Sequence, residues 1–338
     1  MKSNIEELAE NIENFSILIL GGTGLFAKEL LPKLTYYIDY KKIKTKIYIT
    51  TRDKKKAQYF IPETKKSYIQ LIKIDFLLEN EFKEDINPKY ILHMATTSAQ
   101  ETFNKISQIS KFIVLKNSTE AISKIIEKNQ VKRVLFVSSG VAYGNVEKYE
   151  ETNKSCIDFL DPNNSLAIGK LYSEFFLNEV CNSHNTEFKI ARCFSFISKY
   201  LPYDIHYAVG NFVRDALYKK DIVIKSDGKD IRSYQDVTDT IEWLAFLLNK
   251  QFEYKMVNVG SDKEISILNL AKKIKFLLHP GAKIILQNKA TPNDNARRSN
   301  YVPTLKRSNK LGLIQKISLE ESIISLANYI KNKKINFN

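Results

Sequence analysis

Cysteine is scarce in this chain of 338 residues, with only three. Cys156, Cys181 and Cys193 have neither the spacing of a metal-ligand set nor the pattern of a disulfide framework. They read as reduced thiols of a cytoplasmic protein, and no metal centre is expected. Long apolar runs are also missing: none approaches the roughly 20 residues of a membrane span. The N-terminal stretch carries Glu6, Glu7, Glu10 and Glu13 where a signal peptide would have a basic region and an apolar core. No internal repeat or low-complexity linker interrupts the chain. Acidic residues are outnumbered, 38 against 52 lysines and arginines, leaving a net charge of +14. The lysines are spread evenly, so the excess argues for a mildly positive cleft that takes an anionic small molecule and against a nucleic-acid partner.

Hydrophobic residues make up 43% and charged residues 27% of the chain, enough to build a full core. The organising stretch is Ser16 to Leu31. Ile17 to Leu20 is a short apolar run of the kind buried on both faces of a parallel sheet. Gly21, Gly22 and Gly24 then allow a sharp turn, and from Phe26 the apolar spacing is that of a helix. A helix that starts straight after such a turn presents free N–H groups and a positive dipole end to an anion. The spacing Gly21-x-x-Gly24-x-x-Ala27 keeps a small third residue where helix and strand pack. Lys46 to Thr50 and Leu71 to Ile74, the latter ending at Asp75, read as the next two strands, so the chain opens as a doubly wound dinucleotide-binding fold.

Residues 2–14 predict a short amphipathic helix with Ile5, Leu8 and Ile12 on one face. Thr51 stands at the end of the second strand, where NAD-binding versions of the fold carry an acid, and Arg52 follows it. That pair favours NADP(H) over NAD. Tyr90 to His93 predicts a fourth strand that ends in small residues, and Ile106 to Lys128 one or two helices. Asn117 sits in the apolar-patterned part of that region, where asparagine is a poor helix former, which marks a kink or a functional group. Arg133 to Val137 predicts a fifth strand and runs into Ser138-Ser139-Gly140-Val141-Ala142-Tyr143-Gly144. Ser165 to Val180 reads as a helix bearing Lys170, and Lys189 to Phe194 as a sixth strand. Beyond it, short mixed elements (helices over 206–217, 239–248 and 267–278, strands over 222–224, 256–259 and 284–286) suggest a smaller lobe. The expected organisation is an N-terminal helix over 1–14, a dinucleotide domain over 15–200 and a mostly substrate-binding lobe over 201–330.

The glycine turn, Asp75, His93-x-Ala95, Ser138-Ser139 with Tyr143-Gly144, and Lys170, in that order, resemble the extended short-chain dehydrogenase/reductase family, in its nucleotide-sugar epimerase/dehydratase branch. Asp227-Gly228 with Arg232-Ser233-Tyr234, Asn258-Val259-Gly260, Arg298 and Leu311-Gly312-Leu313 match further landmarks, so the resemblance covers about residues 15–330. It implies an α/β fold, a doubly wound parallel (Rossmann) sheet with a smaller C-terminal substrate-binding lobe, and a homodimer formed through the helices over 106–128 and around Lys170. It implies that Gly21, Gly24 and Ala27 line a pyrophosphate with Leu25 beside them, that Thr51 and Arg52 stand at the cofactor's ribose, that Asp75 and Phe76 meet the adenine, and that Ala95 and Asn117 stand against the cofactor. Ser139 would hydrogen-bond the reacting hydroxyl or carbonyl, Tyr143 would line the pocket or relay a proton, and Lys170 would hold the nicotinamide ribose. Asn211, Arg232 and Arg298 would bind the substrate's diphosphate, for which bidentate guanidinium bonds are suited.

One position departs from the family. Its acid/base is a tyrosine one helical turn before the lysine, whereas Leu166-Ala167-Ile168-Gly169-Lys170 places a leucine there, and leucine cannot move a proton. The acidic pair that family dehydratases carry after the serine is Gly140-Val141 here, which disfavours 4,6-dehydration. The sequence therefore points to an epimerase or reductase acting by hydride transfer at C4 of a nucleotide-diphosphate hexose. The alternatives are a dehydratase with altered acid/base chemistry and a catalytically impaired sugar-nucleotide-binding subunit.

Overall fold

Successive side chains of β1 (Ser16–Leu20) enter different cores: Ile17 and Ile19 pack on one side of the sheet, Leu18 and Leu20 on the other, all four fully buried. A strand alternates its side chains between faces, so a continuous apolar run belongs in a sheet covered twice. The computed structural model describes residues 2–97, 101, 106–201, 203, 207–287 and 300–332.

The main strands that follow are β2 (Lys46–Thr51), β3 (Ile69–Lys73), β4 (Tyr90–His93), β5 (Arg133–Ser139) and β6 (Glu187–Cys193). After the short strands β7 (Phe196–Ile197), β8 (Ile222–Ile224), β9 (Ile231–Arg232) and β10 (Gln235–Asp236), β11 (Met256–Val259) completes a seven-stranded sheet. Its order is β11-β6-β5-β4-β1-β2-β3, and every pair is parallel. The order reverses between β1 and β4, and the crevice above such a switch point is where open α/β sheets bind ligands.

One face carries α1 (Asn4–Asn11) and α2 (Leu25–Lys41). The N-terminal helix, shorter than the 2–14 span expected, buries Ile5 and Leu8, with Ile12 buried at its C-cap, and the Asn4 and Ile5 amides donate to the Glu242 carboxylate at 2.7 and 3.3 Å. After α3 (Lys54–Phe60), the region over 106–128 forms a single helix, α4 (Gln108–Lys128), on the opposite face beside α5 (Ser165–Ser183). These two helices cross closely at Gly169, where a Cβ would lie 2.8 Å from the Leu115 Cδ1.

The remaining helices are α6 (Ala208–Leu217), α7 (Val237–Asn249), α8 (Ile267–Leu278), α9 (Lys306–Lys310) and α10 (Leu319–Asn332), with β12 (Ile265–Ser266), β13 (Ile284–Leu286) and β14 (Asn300–Tyr301) among them. A separate apolar cluster built on Val209, Phe212, Ile224, Leu270, Ile274, Ile323 and Leu326 forms the smaller lobe. The main fold, however, does not end near residue 200. Trp243, Leu244, Leu247, Val257 and Val259 belong to the large core, and β11 pairs with β6. The strand over 256–259, read as part of the lobe, is thus the edge of the central sheet. Nothing in its four residues distinguishes the two uses.

Candidate active site at the carboxyl ends of the strands

The turn after β1 has the geometry its glycines require. Gly21 adopts φ +75°, and a Cβ there would stand 2.8 Å from the Ala95 amide nitrogen, so the turn lies directly against the end of β4. A Cβ on Gly22 would stand 2.0 Å from the Ile49 Cγ2. The Gly24 amide donates to the Gly21 carbonyl at 2.9 Å, and Gly24 begins α2 with no side chain capping it. The first-turn N–H groups of α2, from Leu25 to the buried Ala27, are therefore left to whatever anion sits above them. This cradle fits a dinucleotide pyrophosphate: it is narrow, uncapped and at the switch point.

At the end of β2, the Thr51 hydroxyl accepts from the Asp53 amide at 3.2 Å and donates to the Asp53 carbonyl at 3.0 Å. Arg52 is more than half exposed and ion-paired with Glu101, whose carboxylate raises its pKa above the ordinary value. After β3, the Asp75 carboxylate accepts from the Leu77 amide at 3.0 Å, and Phe76 is buried edge-to-face on Phe82. Asn117 is explained by this loop: its side-chain amide donates to the Phe76 carbonyl at 2.9 Å, so it fixes the Asp75-Phe76 turn from the middle of α4.

Ala95 is buried against the glycine turn, with its amide donating to the His93 Nδ1 at 3.3 Å. His93 is fully buried and hydrogen-bonded to Ser118 at 3.2 Å; burial, with the charge of Lys170 as the lesser cause, holds its pKa well below the usual range, so it is neutral. Lys170 is buried too. Its ammonium donates to the Val137 carbonyl at 2.7 Å and lies 4.7 Å from the centre of the Phe136 ring. Desolvation brings its pKa down to about 8, opposed by Cys193 and Glu174.

Ser139 ends β5, and its hydroxyl accepts from the Val141 amide at 3.3 Å. Its neighbour across the sheet is Cys193, whose thiol is pushed up to about 12 by burial, against the pull of Lys170. Tyr143 lies deeper. It is fully buried, its hydroxyl donates to the Asn258 side chain at 2.8 Å, and the Arg192 guanidinium stacks 4.2 Å from its ring centre. Burial is the main reason its phenol is raised to about 12. Tyr143 therefore sits in a hydrogen-bonded foundation rather than at an open reacting position. Arg192 also grips Glu174 through two bonds of 3.0 and 2.6 Å, and Ser138 donates to the same carboxylate at 2.5 Å.

From the lobe, Arg232 on β9 pairs in register with Tyr301 on β14, donates to the Ile231 carbonyl at 2.8 Å and lies 3.8 Å from the Asp230 carboxylate. Its charge bears on the phenols of Tyr149, Tyr234 and Tyr301. Asn211 is on α6, in the lobe. Arg298 lies outside the described residues. Leu166 is on α5, one turn before Lys170, packed against the core under α4. Two features escaped the sequence. The Glu174–Arg192 pair had a faint signal, an arginine inside an apolar strand; Tyr301 had none, because its strand is two residues long. Among the described residues no cluster of His, Cys, Asp or Glu could hold a metal, and no helix is long and apolar enough to cross a membrane.

A parallel sheet with a glycine cradle at its switch point and a buried lysine bonded to the Val137 carbonyl of the fifth strand defines a Rossmann-type nucleotide-binding enzyme. The sequence matches the NAD dependent epimerase/dehydratase family over residues 17–260, and the chain belongs to that family. It is similar to UDP-glucuronic acid decarboxylase 6 of Arabidopsis thaliana, 24% identical over 314 residues that span 92% of this chain and 87% of the relative. In structure it resembles the UDP-glucose 4-epimerase of Thermotoga maritima with UDP-glucose, at a TM-score of 0.72 and 18% identity, covering 94% of this chain and 99% of the other. It also resembles the UDP-glucuronic acid 4-epimerase of Bacillus cereus in complex with NAD, at 0.72 and 17% identity over 94% and 99% of the two chains.

Proposed function

We propose that the protein transfers hydride between a bound nicotinamide dinucleotide and C4 of a nucleotide-diphosphate hexose, as an epimerase or 4-keto reductase. The observation that carries this reading is the row formed by Gly21, Ala95 and Ser139 at consecutive strand ends, with the Lys170 ammonium buried at the Val137 carbonyl beside it. The dinucleotide supplies a two-electron carrier when bound. The uncapped start of α2 would hold its pyrophosphate, the Asp75-Phe76 turn its adenine, and Lys170 its nicotinamide ribose. Ser139 would bind the reacting oxygen, and Arg232, with Asn211 and Arg298, the substrate diphosphate. Thr51 in place of the strand-end acid of NAD-binding versions, with Arg52 next to it, supports NADP(H).

The names of the relatives support a nucleotide-sugar substrate, and the Gly140-Val141 pair speaks against dehydration. Ile109 and Phe175, both about two-thirds exposed on α4 and α5, support pairing of two copies through these helices. Free thiols at three positions suit the cytoplasm.

The test is to denature purified protein, identify any released dinucleotide by mass spectrometry, and incubate the native protein with a panel of nucleotide hexoses and their 4-keto derivatives. Product formation with a nicotinamide cofactor supports the reading. Tight nucleotide-sugar binding without any product would replace it with the binding-subunit reading. The Leu166→Tyr variant separates an impaired family mechanism, which gains rate, from a rebuilt site, which loses it.

A further inference from the structure

The position that carries the family's phenol is apolar here, yet a phenol does stand at Ser139. It comes from the other side of the cleft. Tyr301 reaches from β14 of the lobe so that its hydroxyl lies over Gly140, the residue after Ser139, where it bears on the Ser139 hydroxyl. It rests on Gly140, where a Cβ would lie 2.6 Å from the Tyr301 hydroxyl oxygen and equally close to the Phe194 ring. Only glycine at 140 leaves room for this approach. The ring is held between Phe194, at 4.8 Å between centroids, and Tyr149, at 5.3 Å. The backbone is fixed by the pairing of Tyr301 with Arg232.

We propose that Tyr301 is the proton donor of this site, passing its phenolic proton through the Ser139 hydroxyl to the substrate oxygen. This rests on the hydride-transfer reading above and assigns its missing acid. In the reductive direction a bound dihydronicotinamide would supply hydride to the carbonyl carbon of a 4-keto sugar nucleotide. The carbonyl oxygen takes the Ser139 proton as the C–O double bond becomes single. Ser139 recovers a proton from Tyr301, and the phenolate is refilled from water. The dinucleotide would be oxidised as the ketone is reduced.

The groups facing the phenol are Ser139, Tyr149, Cys193 and Arg232. Burial is the largest influence and raises the phenol above the ordinary tyrosine range, with Ser139 and Arg232 opposing it. Tyr301 is therefore protonated at neutral pH but a weaker acid than an ordinary phenol, so its proton moves only toward the strongly basic oxygen that develops as the carbonyl is reduced. Leu166 fits the same scheme, because an apolar residue on the α5 side leaves the serine to be served from the lobe.

The experiment is Tyr301→Phe, which removes one oxygen and keeps the ring contacts. With NADPH and a 4-keto nucleotide sugar, kcat is expected to fall about a hundredfold, the size of a lost general acid. KM for the sugar nucleotide and the Kd for NADPH should stay within about threefold of the parent values. A Tyr301→Phe protein with parental kcat overturns the proposal, as does one whose KM and Kd rise along with the loss of rate, which would mark a purely structural tyrosine. If the parent itself transfers no hydride, the underlying reading falls and takes the proposal with it; that failure shows in the parent, before any variant is compared.

Discussion

The Asn117 side chain ties the middle of α4 to the carbonyl of Phe76, across 41 positions in sequence, at 2.9 Å. A helix interior is a poor place for asparagine, and here its amide serves a loop rather than the helix. The bond holds the Asp75-Phe76 turn at the end of β3, where an adenine would rest.

Replacing Asn117 with leucine should therefore loosen the turn more than it harms the fold. The lost bond is worth about 1 kcal/mol, and leucine is the better helix former. Unfolding in urea is expected to show little change, while dinucleotide affinity by calorimetry falls roughly fivefold to tenfold. Unchanged affinity would remove Asn117 from the cofactor site.

Arg52 is held by Glu101, so a 2′-phosphate must compete with that carboxylate. Glu101→Gln frees the guanidinium and should improve NADP(H) binding several-fold while leaving NAD nearly alone. Arg52→Ala should reverse the preference. Both sit near water, so the effects shrink with added salt. Fluorescence titration of the reduced cofactors at two ionic strengths checks this.

Lys170 is charged at a cost. Its pKa in the fold is about 8, below the ordinary 10.5, so below pH 8 the charged group is buried at full penalty. As pH rises from 8 toward 10.5 the folded state releases its proton before the unfolded state does, and the penalty is relieved. Lys170→Met should thus be more stable than the parent at pH 7, on the order of 2 kcal/mol after allowing for the lost Val137 bond, with the gap closing as pH approaches 10.5. The same variant should lose hydride transfer. Thermal unfolding across pH 7 to 10.5 tests the sign.

The Glu174–Arg192 pair lies beneath Tyr143, and breaking one half leaves the other charge buried. Glu174→Leu should destabilise the protein by about 3–5 kcal/mol. Mutating both residues to apolar ones of similar volume should cost much less. Equal losses would show that the pair contributes attraction rather than mutual compensation.

What could be read from the sequence was local or periodic. The glycine turn, the apolar run of β1 and the amphipathic face of α1 each encode their geometry within a few residues. Leu166 was visible because a one-turn spacing defines its partner Lys170. Asn117 was conspicuous as a misfit, but its acceptor lay on another element. Tyr143 was placed at the chemistry by its motif, and only the fold revealed Asn258 and Arg192 around it. Tyr301 stayed hidden because contact with Ser139 depends on how the lobe meets the sheet, which no spacing expresses.

The chain leaves the central sheet after β6, builds part of the lobe, and comes back through α7 and β11 before leaving again. The lobe is accordingly stitched to its base at several crossings instead of hanging from one tether. A fragment cut near residue 200 would expose the edge of β6 and strip the apolar cover from one side, so the two portions have to fold together. Tyr301 is thus held over the end of β5 by several crossings of the chain and not by a single connection.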